Sequence, residues 1–127
     1  MSFDFLELDD LLKIHHDQIK RYGGFEGVRA MELLQSAIAM PQAGAGDTYF
    51  HKDVFEMAAA YLFHIINNHP FIDGNKRTGA MSAIVFLKLN GYALRAPEKA
   101  YENLVMSVAA GKTGKVKITE FFKNHSE

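Results

Sequence analysis

The chain has 127 residues, a size at which one hydrophobic core suffices and a second domain would be hard to stabilise, so residues 1–127 read as one domain. Apolar residues make up 48% of it and the formal net charge is -1, which argues against disorder and against a general polyanion-binding surface, and so against nucleic acid as a direct partner. There is no cysteine for a disulfide framework or thiolate metal site, no basic and apolar leader at Met1, and no stretch long enough to cross a bilayer, so a soluble, cytoplasmic protein without membrane contact is expected.

The first predicted element is a helix over residues 8–22, with Leu8, Leu11, Leu12 and Ile19 at helical offsets and Gly23-Gly24 as its stop. A second helix is expected from near Val28, with Met31, Leu34 and Ile38 on one face, and Pro41 ends it because proline disfavours helix in the residue before it. Residues 42–50 carry two glycines and little periodicity, which predicts an exposed loop or small hairpin. Asp53 is a suitable N-cap for a helix over residues 54–67 whose apolar positions run all round it, and residues 76–89, rich in Met81, Ile84, Val85, Phe86 and Leu87, give another. Helices of that kind belong at the centre of a bundle. Residues 92–95 are expected to be briefly extended, Pro97 precedes a helix carrying Leu104, Val105 and Val108, and a last helix carries Ile118, Phe121 and Phe122. The fold class predicted is therefore all-α, a compact bundle of about six helices.

The two central helices are joined by a polar stretch, His69-Pro70-Phe71-Ile72-Asp73-Gly74-Asn75, which packing alone does not require. Pro70 ends the preceding helix at His69, and Gly74 allows a tight turn before the next helix starts near Asn75. A helix start presents unpaired N–H groups and the positive end of its dipole, yet here Lys76 and Arg77 add two cations to the first turn, a conflict that an anionic ligand such as phosphate would resolve. Asp73 offers a hard oxygen suited to Mg2+ held mainly by phosphates and water, and His69 offers a base with an unperturbed pKa near neutrality. Taken singly, each residue has a plainer use: Asp73 as a helix cap, Lys76 and Arg77 as a solvated pair, His69 as a structural histidine. The combination is what favours a site.

The stretch resembles the signature of the Fic/Doc family: histidine, any residue, phenylalanine, any residue, acid, small residue, asparagine, glycine or lysine, arginine. His69, Phe71, Asp73, Gly74, Asn75, Lys76 and Arg77 all fit it, and the similarity extends through Tyr22-Gly23-Gly24, Thr78-Gly79 and Leu89-Asn90-Gly91. The resemblance implies that His69 takes the proton of a hydroxyl on a target protein, that Asp73 holds Mg2+ against ATP, that Gly74, Asn75, Lys76 and Arg77 bind its phosphates, and that Phe71 anchors the loop. It also implies a flap that pairs with an extended target segment, which the glycine-bearing residues 44–51 resemble. Lys76 stands where adenylate-transferring members commonly have glycine, and Ala80 where they commonly have a second arginine. Both departures point to the death-on-curing toxin branch and to transfer of the terminal phosphate, as a protein kinase acting on a translation factor and neutralised by a separate antitoxin. The alternatives are AMP transfer by the same motif and a catalytically silent binding module. Gly111-Lys112-Thr113 is set aside as a P-loop because Met106 occupies the first glycine position, and His15, His16, His51 and His64, lacking zinc-protease spacing, read as structural or surface residues.

Overall fold

Helix α3 (Val54–Asn68) is the axis about which the other elements assemble, because its apolar residues leave no side for water: every residue from Met57 to Leu62 is wholly buried. The computed structural model describes residues 2–127, and Met1, where a leader was expected to be lacking, lies outside them. Asp53 caps α3, its carboxylate accepting from the Glu56 N–H at 2.9 Å. Helices α4 (Asn75–Leu89) and α6 (Lys115–His125) pack most extensively on α3, while α1 (Leu8–Tyr22) lies on α4, α2 (Met31–Ala39) on α3, and α5 (Glu98–Ala109) across α3 and α4. The fold is all-α, with six helices and one two-stranded ribbon, β1 (Gly44–Ala45) antiparallel to β2 (Thr48–Tyr49), among the described residues.

Two expectations need correction. Helix α2 starts at Met31, not near Val28, because Val28 is drawn into a bridge with Phe71 instead. The buried face of α4 is made of Thr78, Gly79, Ser82, Ala83, Phe86 and Leu87, while Met81, Ile84 and Val85 are only partly buried. Small residues rather than large ones set that contact: a Cβ on Gly79 would lie 3.2 Å from Ile66 Cγ1 and 3.4 Å from the Leu62 carbonyl, so α3 and α4 approach until nothing more fits.

The other expected helices are present, with ends within a residue or two of those predicted. Residues 92–95 are extended at the chain's end, with Leu94 bridged to Ser126 and Ala93 exchanging two hydrogen bonds with Glu127 at 2.8 and 2.9 Å. Tyr49 of the ribbon packs edge-on against Phe3 and near Phe5, whose ring stacks on Phe86, so the N-terminal segment is tied to the ribbon and to α4. No helix among the described residues is long and apolar enough to cross a membrane.

One titratable group reports on this packing. His64 sits half-buried on α3, where the ammonium of Lys115, first residue of α6, lies 3.2 Å from its Nε2. Burial, then Lys115 and His51, push the His64 imidazole down from 6.5 to about 4. As the pH falls below 6.5 the unfolded chain takes up a proton that folded His64 refuses, so stability falls as pH is lowered from about 6.5 to about 4. Urea titrations across that window should show a slope that His64→Gln flattens; an unchanged slope would mean that the α3–α6 contact leaves this imidazole free to charge.

Candidate active site

Helix α3 stops because Pro70 bars right-handed helical geometry at the residue before it. That residue, His69, turns left-handed (φ 50°, ψ 52°), and among the described residues no other non-glycine has positive φ. Such a conformation costs roughly 1–2 kcal/mol and persists only when its surroundings impose it. The surroundings do. Arg29 donates from Nε to the His69 carbonyl (2.8 Å) and from Nη2 to the Asn68 carbonyl (3.1 Å), while the backbone N–H groups of Arg29 and Ala30 both donate to the Pro70 carbonyl (2.7 and 3.1 Å). Asn68 in turn donates to the Leu33 carbonyl at 2.9 Å. His69 itself is exposed at the protein surface.

Beyond Pro70 the loop is held from inside by Asn75, a buried amide at 5% exposure. Its Oδ1 accepts from the Phe71 N–H (2.9 Å) and its Nδ2 donates to the Phe71 carbonyl (3.0 Å), which settles which way round the amide lies. The second Nδ2 proton then points at His69 Nδ1, 3.1 Å away, so the neutral ring in this pose carries its own proton on Nε2. Phe71, wholly buried, lies flat against His15 with ring centroids 3.8 Å apart and planes within 5°. His15 Nε2 lies 2.8 Å from the Asp73 carbonyl, and the carbonyl can only accept. His15 therefore has a structural part, as expected, but one that supports this loop. Its i, i+4 spacing from both Leu11 and Ile19, two core residues of α1, is the signal that places it inward.

Asp73 accepts from the Gly74 N–H on one oxygen (2.9 Å) and from the Phe25 N–H on the other (3.3 Å), leaving lone pairs on both. Gly74 (φ 77°) is the N-cap of α4, and a Cβ there would press on Ile19 at 3.0 Å, so glycine is required for both conformation and space. Lys76 is exposed. Arg77 bends toward the C-terminal end of α1, donating to the Gly23 carbonyl at 2.8 Å and more weakly to the Gln18 carbonyl at 3.4 Å, with its guanidinium 5.7 Å from the Tyr22 ring centre. Lys76 and Arg77 also border an open cavity of about 210 Å³ between α4 and α5, lined as well by Ala80, Glu98, Tyr101 and Glu102 among others. All seven motif residues singled out in the sequence thus lie in one loop and the helix start that follows it.

The flap was misplaced in the sequence. The ribbon at residues 44–49 stands before the first turn of α3 and His69 follows its last, so 15 helical residues, roughly 22 Å, separate them. The segment beside the loop is residues 23–30: Gly27 accepts from the Ile72 N–H at 3.0 Å, Val28 bridges Phe71, and Gly24 lies so near Asp73 that a Cβ would be 2.8 Å from Oδ2. Phe25 and Ile72, both large and apolar, are exposed there at 75% and 53%. The glycines at 23, 24 and 27, each with positive φ, are the signal for this segment; in the sequence Gly23-Gly24 serves as a helix stop and as part of the family resemblance, and Gly27 is not used.

The sequence matches the family described as "Fic/DOC family" over residues 5–87, from the approach to α1 almost to the end of α4. It is similar to "Protein kinase doc" of Escherichia phage P1, 34% identical over 105 residues that cover 82% of this chain and 81% of that protein. It is also similar to "Toxin Doc" of Mycolicibacterium smegmatis, 40% identical over 75 residues covering 59% of this chain and 58% of that one.

The loop's dependence on one amide can be measured. Asn75→Ala leaves the buried N–H and C=O of Phe71 without partners, and should lower unfolding stability by about 2–3 kcal/mol in urea titration. A loss below about 0.5 kcal/mol would mean that the Phe71 pairing does not hold the loop.

Proposed function

The chain belongs to the Fic/DOC family, on its Doc branch, and from that premise we propose that it is a toxin that moves the terminal phosphate of ATP to a hydroxyl of a target protein. The observation that carries this reading is the convergence, in one loop clamped at both ends, of an exposed imidazole, a carboxylate with free lone pairs, and a helix start bearing two cations. In this reading the N–H groups at the start of α4, with Lys76 and Arg77, take the phosphates of ATP. Arg77 has five N–H donors and spends two on α1, so three are left for an anion.

The Asp73 carboxylate fits Mg2+: two of its lone-pair sites are used by N–H donors and the others are open, and a single carboxylate suits an ion that brings phosphate and water ligands with it. When bound there, Mg2+ would supply charge neutralisation on the phosphate oxygens.

The reaction balances simply. The target hydroxyl oxygen bonds to the terminal phosphorus, its proton passes to His69, and the bond to the bridging oxygen breaks with its electron pair leaving on ADP. In the resting pose the lone pair of His69 is on Nδ1 and engaged by Asn75, so the ring must turn from Asn75 to receive that proton. Asn75 holds a resting orientation, and release from it belongs to the reaction.

Terminal-phosphate transfer is favoured over AMP transfer by the surroundings of position 80. Where a second arginine would extend the cradle, the Ala80 carbonyl accepts from the Tyr101 hydroxyl at 2.7 Å, and Glu98 and Glu102 face the same cavity. Two carboxylates there repel a polyphosphate tail, so the phosphates that do bind are confined to the start of α4. The toxin reading brings with it a separate antitoxin, a cytoplasmic site of action, and a target in translation such as an elongation factor.

Purified protein incubated with Mg2+, soluble translation factors and ATP labelled on either the terminal or the α-phosphate tests this directly. The terminal label should appear on a target; retention of the α label would establish AMP transfer instead. His69→Ala should cut transfer at least about 100-fold and relieve growth arrest while the melting temperature stays within a few degrees, because an exposed loop imidazole contributes little to packing. Undiminished growth arrest would reject the catalytic assignment.

A further inference from the structure

We infer that Arg29 is a positioning residue for His69, fixing from outside the motif the direction in which the imidazole is presented. The inference rests on the catalytic reading of His69 for its functional meaning, but the geometry stands apart from it. Arg29 is 40 residues away in sequence and exposed, yet it grips three consecutive carbonyls: its guanidinium takes those of Asn68 and His69, and its own backbone N–H takes that of Pro70. These carbonyls span the point where the chain passes from right-handed helix into the left-handed turn at His69.

A planar fork suits that task. Nε and Nη2 lie on one edge of the guanidinium and meet two acceptors at a fixed separation, which an ammonium on a flexible stem cannot reproduce. The cation also sits at the C-terminal end of α3, where the helix dipole favours it. Without the fork, a histidine before proline relaxes toward extended backbone, because that is the preference of any residue in this position. The backbone from which the ring pivots is then no longer fixed, so both the resting contact with Asn75 and the direction in which the ring turns toward a substrate are lost. Because the Asn68 and His69 carbonyls are exposed, water can replace the guanidinium donors, and the cost falls on orientation more than on stability. The phosphate-binding start of α4 is held separately, by the Asn75–Phe71 pairing and by His15, so nucleotide affinity is left alone.

The test pairs Arg29→Met with Arg29→Lys. Imidazole nitrogen NMR at neutral pH should show His69 of the wild type as the Nε2–H form with Nδ1 accepting, and should show the two nitrogens averaged in Arg29→Met. Phosphate transfer should fall roughly 100-fold in Arg29→Met, as for a misplaced reacting group, and less in Arg29→Lys, while calorimetric titration with MgATP gives a Kd within about twofold of wild type. An unaltered His69 spectrum in Arg29→Met would overturn the inference, and so would a parallel loss of MgATP affinity. If wild type itself neither binds MgATP nor transfers phosphate, the catalytic reading fails, and the imidazole spectrum still decides whether Arg29 sets the ring.

Discussion

The junction between α3 and α4 depends on one buried amide. Asn75 pairs with both main-chain groups of Phe71 and so closes the chain from residue 71 to residue 75 on itself. That closure permits a polar loop between the two most buried helices, because the backbone groups that the turn strips from helical pairing are satisfied within it. It also fixes the depth of Phe71, and with it the plane against which His15 stacks. A packing residue, a hydrogen-bonding residue and the exposed imidazole of His69 are thereby set by a single side chain.

Around that closure the supports divide by chain segment. Helix α1 holds the second half of the loop, through His15 on the Asp73 carbonyl and Ile19 against Gly74. Residues 23–30 hold the outer edge, through Phe25 on the Asp73 carboxylate, Gly27 on Ile72 and Arg29 on the end of α3. Neither support touches the other's targets in full. The halves of the loop that carry His69 and the helix start can thus answer separately to substitution, which is the physical basis for treating the proposed roles of His69 and of the helix start as distinct.

Much of this was legible in the sequence because the signals are local. Gly23-Gly24 marked the end of α1, Asp53 the start of α3, and the all-round apolar pattern of α3 its central place. His69, Asp73, Gly74, Asn75, Lys76 and Arg77 stood out by residue type in a short polar loop, and the seven-position motif with Phe71 came from the resemblance to the Fic/Doc signature. What escaped depends on contacts distant in sequence. Val28 has helical company on its C-terminal side but is claimed by Phe71, 43 residues on. Met81, Ile84 and Val85 looked like core, yet α4 turns its small residues to α3, because close approach of two helices buries more than large side chains held apart. The ribbon at 44–49 had the glycines expected of a flap, and only the length of α3 shows that it stands at the wrong end.

The placement of Arg77 gives the site its electrostatic logic. A cation in the first turn of α4 works against that helix's own dipole, yet the same guanidinium lies at the C-terminal end of α1, where Gln18 and Gly23 carbonyls and the opposite dipole end receive it. The charge is thus held for the start of α4 by a neighbouring helix end that favours it, so no bound anion is needed to keep it in place. Lys76 has no such partner in α1 and stays exposed. The two cations of one turn therefore differ in kind: Arg77 is a charge built into the α1–α4 contact, and Lys76 an exposed one on the cavity that Glu98 and Glu102 also line. An anion bound at the start of α4, as proposed, would then draw its fixed attraction from Arg77 and the helix N–H groups, with Lys76 an additional charge that the α1–α4 contact does not hold.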